Sequence, residues 1–430
     1  MPNFDVVADL RLRGLIHQTT DDDGLASWLM QKSRTLYAGF DPTADSLHVG
    51  HLMALMILRR FQKAGHRPIA LIGGATGMIG DPSGKSEERK LLSEEQLRHN
   101  VRCVEQQLRR FLDFQVPANP ALLLNNYDWM GRFGYLEFLR EVGKHFPVNV
   151  MLTKDSVRQR LERSDAGLSY TEFSYMLLQA YDFVHLFREF ECELQVGGSD
   201  QWGNITAGID LARRLHGVQL HGLTCPLLTK SDGSKMGKTE SGALWLDPAK
   251  TSPYRFYQYW INVEDDLVEQ CLKYFTDLSV EAISEVVARH RSAPEQRLGQ
   301  RTLATELTRL VHGEEGLGSA EKATEVLFGA PIEQISAREL DEIFADVPSS
   351  TAARGALEGD GMPLIDALCA AGLAKNKSDA RRVIQQGGAY VNNVRVGDLD
   401  ARLTANHLVA DAAVVLRAGK KRYAILRFES

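Results

Sequence analysis

Two short polar segments hold the residues that could do chemistry. Residues 39–51 run from an apolar stretch through a proline turn into a helix start, ending Leu47-His48-Val49-Gly50-His51. A helix N-terminus offers free backbone N–H groups and positive dipole potential, which suits a phosphate. His48 and His51, three residues apart, fall on one helix face, and Gly50 between them lets a base or ribose approach the backbone closely. Residues 229–239 form a polar, glycine-containing loop that ends Lys235-Met236-Gly237-Lys238-Thr239. Two lysines on a flexible loop are suited to closing on a polyanion and neutralising charge as it develops. Either segment alone reads better as an ordinary helix start or a solvated loop. Together they suggest a grip on one triphosphate.

A third segment, 73–86, is rich in glycine. It is not a P-loop, because Ile79 stands where a glycine is required. Nor is it a dinucleotide fingerprint, because Gly74, Gly77 and Gly80 have the wrong spacing. It is a glycine-rich strand exit carrying Asp81 and, further on, the cations Lys85 and Arg89.

The elements that must position these groups follow from periodicity. Residues 36–40 and 68–73 are short apolar runs, as expected of buried parallel strands, with a helix predicted over 48–64 and stopped by Gly65. That is a right-handed βαβ unit. Further strands are expected at 193–196, before a helix over 203–215, and at 223–228. The fold class is therefore α/β, a doubly wound parallel-sheet (Rossmann-like) catalytic domain over 1–228, interrupted by a helical insertion at about 125–182. Residues 229–330 hold the lysine loop and a helical domain, in which Tyr254, Tyr257 and Trp260 share one register and read as core. A linker is expected over 331–361. The last module, 362–430, reads as small α+β. It has a helix at 364–371, a second at 379–386 capped by Ser378, a hairpin at 390–396 and a strand pair flanking the basic turn Gly419-Lys420-Lys421-Arg422.

Of 430 residues, 44% are hydrophobic and 25% charged, the balance of a soluble globular protein. No signal peptide is expected from the N-terminal residues, and no run has the length and apolarity of a membrane span. Five scattered cysteines with no C-x-x-C pair argue against a disulfide framework or a structural zinc site and fit a reducing cytoplasm. The net charge is −6, yet residues 362–430 hold eleven Lys/Arg against six Asp/Glu. A basic module on an acidic body points to a polyanionic partner.

These segments resemble the two signatures of class I aminoacyl-tRNA synthetases, His-Ile-Gly-His and Lys-Met-Ser-Lys-Ser, with Val49, Gly237 and Thr239 as mild departures. Residues 37–43 (Tyr-Ala-Gly-Phe-Asp-Pro-Thr), 173–182 and 196–204 are similar to tyrosyl-tRNA synthetases in particular, and the likeness spans nearly the whole chain. It implies a substrate pocket for L-tyrosine in which Tyr37 and Asp182 meet the phenol hydroxyl, while Asp81, Tyr175 and Gln179 bind the α-ammonium. Helical spacing independently places Tyr175, Gln179 and Asp182 on one face. A site that hydrogen-bonds a substrate hydroxyl strands its own polar groups when the hydroxyl is missing, a rule for which tyrosine-specific synthetases are themselves the standard example.

The resemblance further implies that Asp41 and Gln201 serve the reacting carboxylate and ribose region. It puts Gly39, Gly50, Gly198 and Asp200 at the nucleotide and ribose, and Thr43, His48 and His51 at the phosphates. Lys85, Arg89, Lys235 and Lys238 would neutralise the departing pyrophosphate. ATP is implied as a substrate with Mg²⁺, without a protein-bound structural metal. The basic tail resembles a small RNA-binding module of the ribosomal small subunit. Arg381, Arg382, Lys420, Lys421 and Arg422 are its implied contacts to tRNA(Tyr) on the anticodon side. A homodimer is implied, with its interface near 125–163. A tryptophan-specific synthetase and a catalytically silent RNA-binding paralogue are the competing readings. The paralogue could dispense with His48, His51, Lys235 and Lys238, and all four are present.

Overall fold

The computed structural model describes the chain except residues 1, 3, 84–91, 155–156, 159–160, 162–166, 230–232, 234–235, 240–241, 328, 333–334, 346, 420–421 and 430. The chain forms two units, Met1–Thr251 with Trp260–Val311, and Ser252–Tyr259 with His312–Ser430.

The first unit is built on a six-stranded sheet. Its strands in chain order are β1 (Gln18–Thr19), β2 (Thr35–Phe40), β3 (Arg67–Ile72), β4 (Leu122–Asn125), β5 (Cys192–Gly198) and β6 (His221–Cys225). Their spatial order is β1-β6-β5-β2-β3-β4, parallel throughout except the antiparallel edge strand β1. The apolar runs of β2 and β3 are buried along nearly their whole length because helices cover both faces of the sheet. From β2 the chain winds outward through β3 and β4, then returns to β5 on the other side of β2. The β2/β5 junction is thus the topological switch point, and the strand ends there open a crevice. Two strands escaped the periodicity, the two-residue β1 and β4, whose run Leu122-Leu123-Leu124-Asn125 is only half-buried at the sheet edge.

The Val49–Lys63 helix packs Leu52, Leu55, Met56, Leu58 and Phe61 onto the sheet and ends before Gly65, whose φ of 97° suits glycine. Buried Arg60 donates from Nη2 to the Thr276 carbonyl at 2.8 Å, and Arg59 and Lys63 pair with Asp277. The segment 125–182 is helical where described, with helices at Tyr127–Met130, Tyr135–Glu141, Val148–Leu152 and Tyr170–Phe190. The last of these lays Tyr175, Met176, Ala180 and Phe183 against the sheet. Tyr254, Tyr257 and Trp260 are all buried, in keeping with the core reading.

Two short ribbon strands follow β6, β7 (Lys238–Thr239) and β8 (Gly242–Ala243). In the second unit the remaining strands are β9 (Ser349–Ala353), β10 (Met362–Pro363), β11 (Ala389–Val391), β12 (Val394–Arg395), β13 (Arg402–Leu403), β14 (Ala413–Ala418) and β15 (Arg422–Glu429). Five of them form a sheet in the order β12-β11-β14-β15-β9, with β9 parallel to β15. Helices Leu364–Ala370 and Lys377–Gln385 pack on it around Leu364, Leu368, Ile384 and Leu416. The stretch expected as a linker is structured here: Ala337–Ile343 is a helix with a Ser336–Glu339 capping box, and β9 completes the sheet. Its Ser-Ser-Thr run looked like punctuation because small polar residues hide the alternating burial that the strand does show. The second helix begins two residues earlier than expected, its cap being Asn376, which accepts the Asp379 N–H at 2.9 Å. The hairpin turns on Asn392 and Asn393, both at positive φ.

Candidate active site

At the switch point the strand ends and helix starts enclose a cavity of about 390 Å³, lined wholly by residues of the first unit. Of the residues expected at a substrate, Tyr37, Gly39, Asp41, Thr43, His48, Gly50, His51, Asp81, Tyr175, Gln179, Asp182, Gly198, Asp200 and Gln201 all face it. They come from β2, β5 and the turns that follow them, from the glycine-rich segment after β3, and from the Val49–Lys63 helix with its cap and the Tyr170–Phe190 helix, so segments more than a hundred residues apart converge because parallel strands end together.

The first histidine does not sit on the helix face. His48 is the N-cap in extended conformation. Its Nδ1 accepts the Gly50 N–H at 3.0 Å, and its own N–H donates to His51 Nδ1 at 3.1 Å. The two rings lie 4.0 Å apart. With both Nδ1 atoms accepting, each neutral ring carries its proton on Nε2, a donor suited to a phosphate oxygen. A side chain on Gly50 would bring its Cβ to 2.8 Å from His48 Cε1. The glycine therefore makes room for the histidine cap.

The strand-like segment 244–246, just beyond the lysine loop, is tied to this helix start through the backbone. Val49 N–H donates to the Leu244 carbonyl at 3.0 Å, Leu246 N–H to Leu47 at 2.9 Å, and His48 and Trp245 form an antiparallel bridge. Met236, Gly237 and Ala243 face the cavity, with Gly237 at a φ of 81° that favours glycine. Lys238 belongs to β7 by its backbone. Its side chain, with Lys85, Arg89 and Lys235, lies outside the described residues.

Deeper in the cavity the polar groups form a tight network. Asp41 accepts from Thr76 Oγ1 at 2.7 Å and from the Tyr175 hydroxyl at 2.8 Å. Asp81 accepts from Gln201 Nε2 at 2.7 Å and from the Ser83 N–H at 2.9 Å. Tyr175, expected beside Asp81 at an ammonium, is therefore bonded to Asp41. Asp182 accepts from Trp129 Nε1 at 2.7 Å and from Asn126 Nδ2 at 2.9 Å. Full burial pushes the Asp182 carboxyl up to about 7 against the pull of those two donors, and the Asp41 charge adds to the rise. Burial also raises the Tyr37 and Tyr175 hydroxyls well above their ordinary range, aided by Asp182 and Asp41 respectively. Among the described residues that line the cavity, three buried atoms, Tyr37 Oη, Gln179 Oε1 and Gln195 Oε1, have no hydrogen-bond partner. A buried polar atom without a partner costs roughly 1–3 kcal/mol, which a ligand that supplied one would recover.

The sequence reading missed Thr76, Asn126, Trp129 and Gln195. Asn126 had a usable signal: it directly follows β4, and the carboxyl ends of parallel strands are where ligands bind. Trp129 had none, because 53 residues separate it from Asp182. In the second unit Arg381 and Arg382 are exposed on the Lys377–Gln385 helix, with Arg382 paired to Asp379 at 2.6 Å. Exposed Arg422 donates to the Leu373 carbonyl at 3.3 Å, between the two helices of the module. Lys420 and Lys421 lie outside the described residues.

The sheet, its switch-point cavity and a helix start at His48 that faces Met236 and Gly237 across it are those of a class I aminoacyl-tRNA synthetase. Residues 30–329 match the family model of class I tRNA synthetases for tryptophan and tyrosine (W and Y), and 339–426 match the tyrosine–tRNA ligase C-terminal domain. A tyrosine–tRNA ligase of Rhodopirellula baltica is 59% identical over 99% of this chain and 96% of that one. One from Geobacillus stearothermophilus is 53% identical over 99% and 100%. Among solved structures, a C-terminally truncated mitochondrial tyrosyl-tRNA synthetase from Aspergillus nidulans is 33% identical with a TM-score of 0.68, covering 75% of this chain and 94% of that one. The chain belongs to the tyrosine–tRNA ligase family.

Proposed function

We propose that this chain is a tyrosine–tRNA ligase that converts L-tyrosine and ATP to tyrosyl-adenylate and pyrophosphate, then passes tyrosine to the 3′ end of tRNA(Tyr). The observation that carries the choice of amino acid is the unpartnered buried Tyr37 Oη, which shares one cavity with Asp182 and feels its charge. Tyr175 and Asp182 are seven residues apart on one helix, about 10 Å along its axis, comparable with the span of tyrosine from ammonium to phenol. Asp182 and Tyr37 take the phenol hydroxyl. Asp81, Gln179 and Tyr175 take the ammonium, the last by exchanging its bond to Asp41.

In the first step a carboxylate oxygen of tyrosine forms a bond to the α-phosphorus while the bond to the β-phosphate oxygen breaks and pyrophosphate leaves. The carboxylate is already anionic, so no general base is required. The site acts by positioning and by stabilising charge. Asp41 and Gln201 orient the reacting carboxylate and ribose region. Gly39 and Gly50 flank the nucleotide, and Gly198 with Asp200 holds the ribose. A Cβ at 198 would come within 2.6 Å of the Asp200 carboxylate. Thr43, His48 and His51 hold the phosphates, while Lys85, Arg89, Lys235 and Lys238 offset the charge of the leaving pyrophosphate. ATP enters as its Mg²⁺ complex, the metal offsetting part of the phosphate charge. In the second step a terminal ribose hydroxyl of the tRNA attacks the adenylate carbonyl and AMP leaves.

We assign the tRNA contacts of the second unit to Arg381, Arg382, Lys420, Lys421 and Arg422. A homodimer through the helical insertion is supported by its exposed apolar side chains, Tyr135, Leu136, Val148 and Val150. The five free cysteines suit a cytoplasmic location. Among the described residues no helix is long and apolar enough to cross a membrane.

Tyrosine-dependent exchange of labelled pyrophosphate into ATP tests the reading. Exchange with tyrosine and not with tryptophan or phenylalanine is expected; tryptophan-dependent exchange, or none with any amino acid, would refute it. Lys238→Ala should slow adenylate formation at least ~100-fold while leaving tyrosine affinity nearly unchanged. Equal losses in both would remove Lys238 from the transition state.

A further inference from the structure

Asp182 is held by two donors that are themselves held very differently. Asn126 is fixed at three points: its Nδ2 donates to Thr76 Oγ1 at 3.0 Å as well as to Asp182, and its Oδ1 accepts the Ala75 N–H at 2.7 Å. Trp129 sits three residues on, in a helix of one turn, Tyr127–Met130, whose N-cap is Asn126 itself; the Asn126 side chain is spent on Ala75, Thr76 and Asp182 and caps none of the helix N–H groups. So short a helix has little stability of its own and cannot fix an indole by itself. What the indole lies against is His185. The rings are stacked, with centroids 4.2 Å apart and planes 19° from parallel. His185 stands one turn beyond Asp182 on the Tyr170–Phe190 helix, so the same rigid element carries both the carboxylate and the platform for its donor. Tyr181 and Phe190 flank the imidazole at 6.3 and 6.5 Å. Burial lowers its pKa, keeping the ring neutral at neutral pH, so the stack joins two uncharged rings.

We propose that His185 is a positioning residue for amino-acid selection: its ring holds the Trp129 indole N–H on Asp182 and thereby aims that carboxylate at the substrate hydroxyl. His185 does not line the cavity, so it acts through Trp129. The inference rests on the reading of Asp182 as the phenol-hydroxyl acceptor. It places part of the tyrosine selectivity outside the residues that touch tyrosine.

The test is steady-state pyrophosphate exchange with the full-length protein. His185→Leu keeps the bulk and removes the flat ring. It should raise the KM for tyrosine about tenfold, the loss expected when a hydrogen bond to a charged group is misaligned. The kcat at saturating tyrosine and the KM for ATP should stay unchanged. The preference for tyrosine over phenylalanine should fall by the same factor, since phenylalanine has no hydroxyl to lose. His185→Phe restores a stacking surface and should return tyrosine KM to the wild-type value. In a Trp129→Phe background, which lacks the N–H, His185→Leu should add nothing further. Wild-type tyrosine KM in His185→Leu, equal losses for tyrosine and phenylalanine, additive effects with Trp129→Phe, or no rescue by His185→Phe would each overturn the proposal. Asp182→Asn separates the two levels. If it leaves tyrosine KM unchanged, the pocket reading itself fails; if it raises KM while His185→Leu does not, only the role of His185 fails.

Discussion

At the scale of single residues, Asp182 carries the most consequence. Its folded pKa, about 7, lies above the ordinary carboxyl value of 3.8. Both oxygens already accept N–H bonds, and the ionised carboxylate is the much stronger acceptor for a further bond from a substrate hydroxyl. The expected outcome is a kcat/KM for tyrosine that falls as pH drops below about 7, approaching tenfold per unit, in a profile that Asp182→Asn flattens. A profile flat from pH 6 to 8 in the wild type would count against it. The stability linkage has the opposite sense. The contribution is present in full below the unfolded value near 3.8 and is lost as pH rises through about 7, because the folded state retains the proton longer. The pocket thus holds a charge that function requires and folding opposes.

At the scale of elements, the Val49–Lys63 helix connects the phosphate site with the helical part of its unit. At its N-terminus, Gly50→Ala would place a methyl 2.8 Å from the His48 ring. Adenylate formation should slow by roughly 10–100-fold, since catalysis by positioning is lost with sub-ångström shifts, while the melting temperature changes little. At its C-terminal end Arg59 and Lys63 clamp Asp277. Burial pushes that carboxyl up, but the hydrogen bonds from Arg59 and Lys63 outweigh it and hold the pKa down to about 2. A depressed carboxyl pKa contributes stability that is present above its unfolded value near 3.8 and lost as pH falls through about 2. Asp277→Asn should therefore destabilise by about 1 kcal/mol at pH 7, with the difference narrowing below pH 4, read from urea midpoints. The estimate is modest because the pair is 27–30% exposed.

At the scale of the whole molecule, the proposed reading assigns adenylation to the first unit and RNA contact to the second. The cavity belongs entirely to the first unit, and the basic module to the second. Removing the C-terminal sheet should abolish tRNA charging and spare tyrosine-dependent pyrophosphate exchange; unchanged charging would refute the assignment of the tail. The cut should fall near residue 330 rather than 362. A chain ending at 361 keeps β9 without its partner β15, leaving an unpaired edge that invites aggregation.

How much of this was legible in advance depended on how local the signal was. The runs of β2 and β3, the helix start at His48 and the stripe Tyr175, Gln179, Asp182 were readable because each is written within a few residues. So were the two signatures, the chemistry they serve and the basic tail. The short edge strands β1, β4 and β9 were missed because a few residues at a sheet edge leave little periodicity to read. The chain by itself determined the class of reaction and most of the residues that line its cavity. Only the tertiary structure decided that His48 caps its helix rather than lining it, that Tyr175 rests on Asp41, and that Trp129, backed by His185, shares Asp182 with Asn126. Those contacts join residues up to 134 positions apart, and no local pattern encodes a distance that only packing brings to hydrogen-bond length.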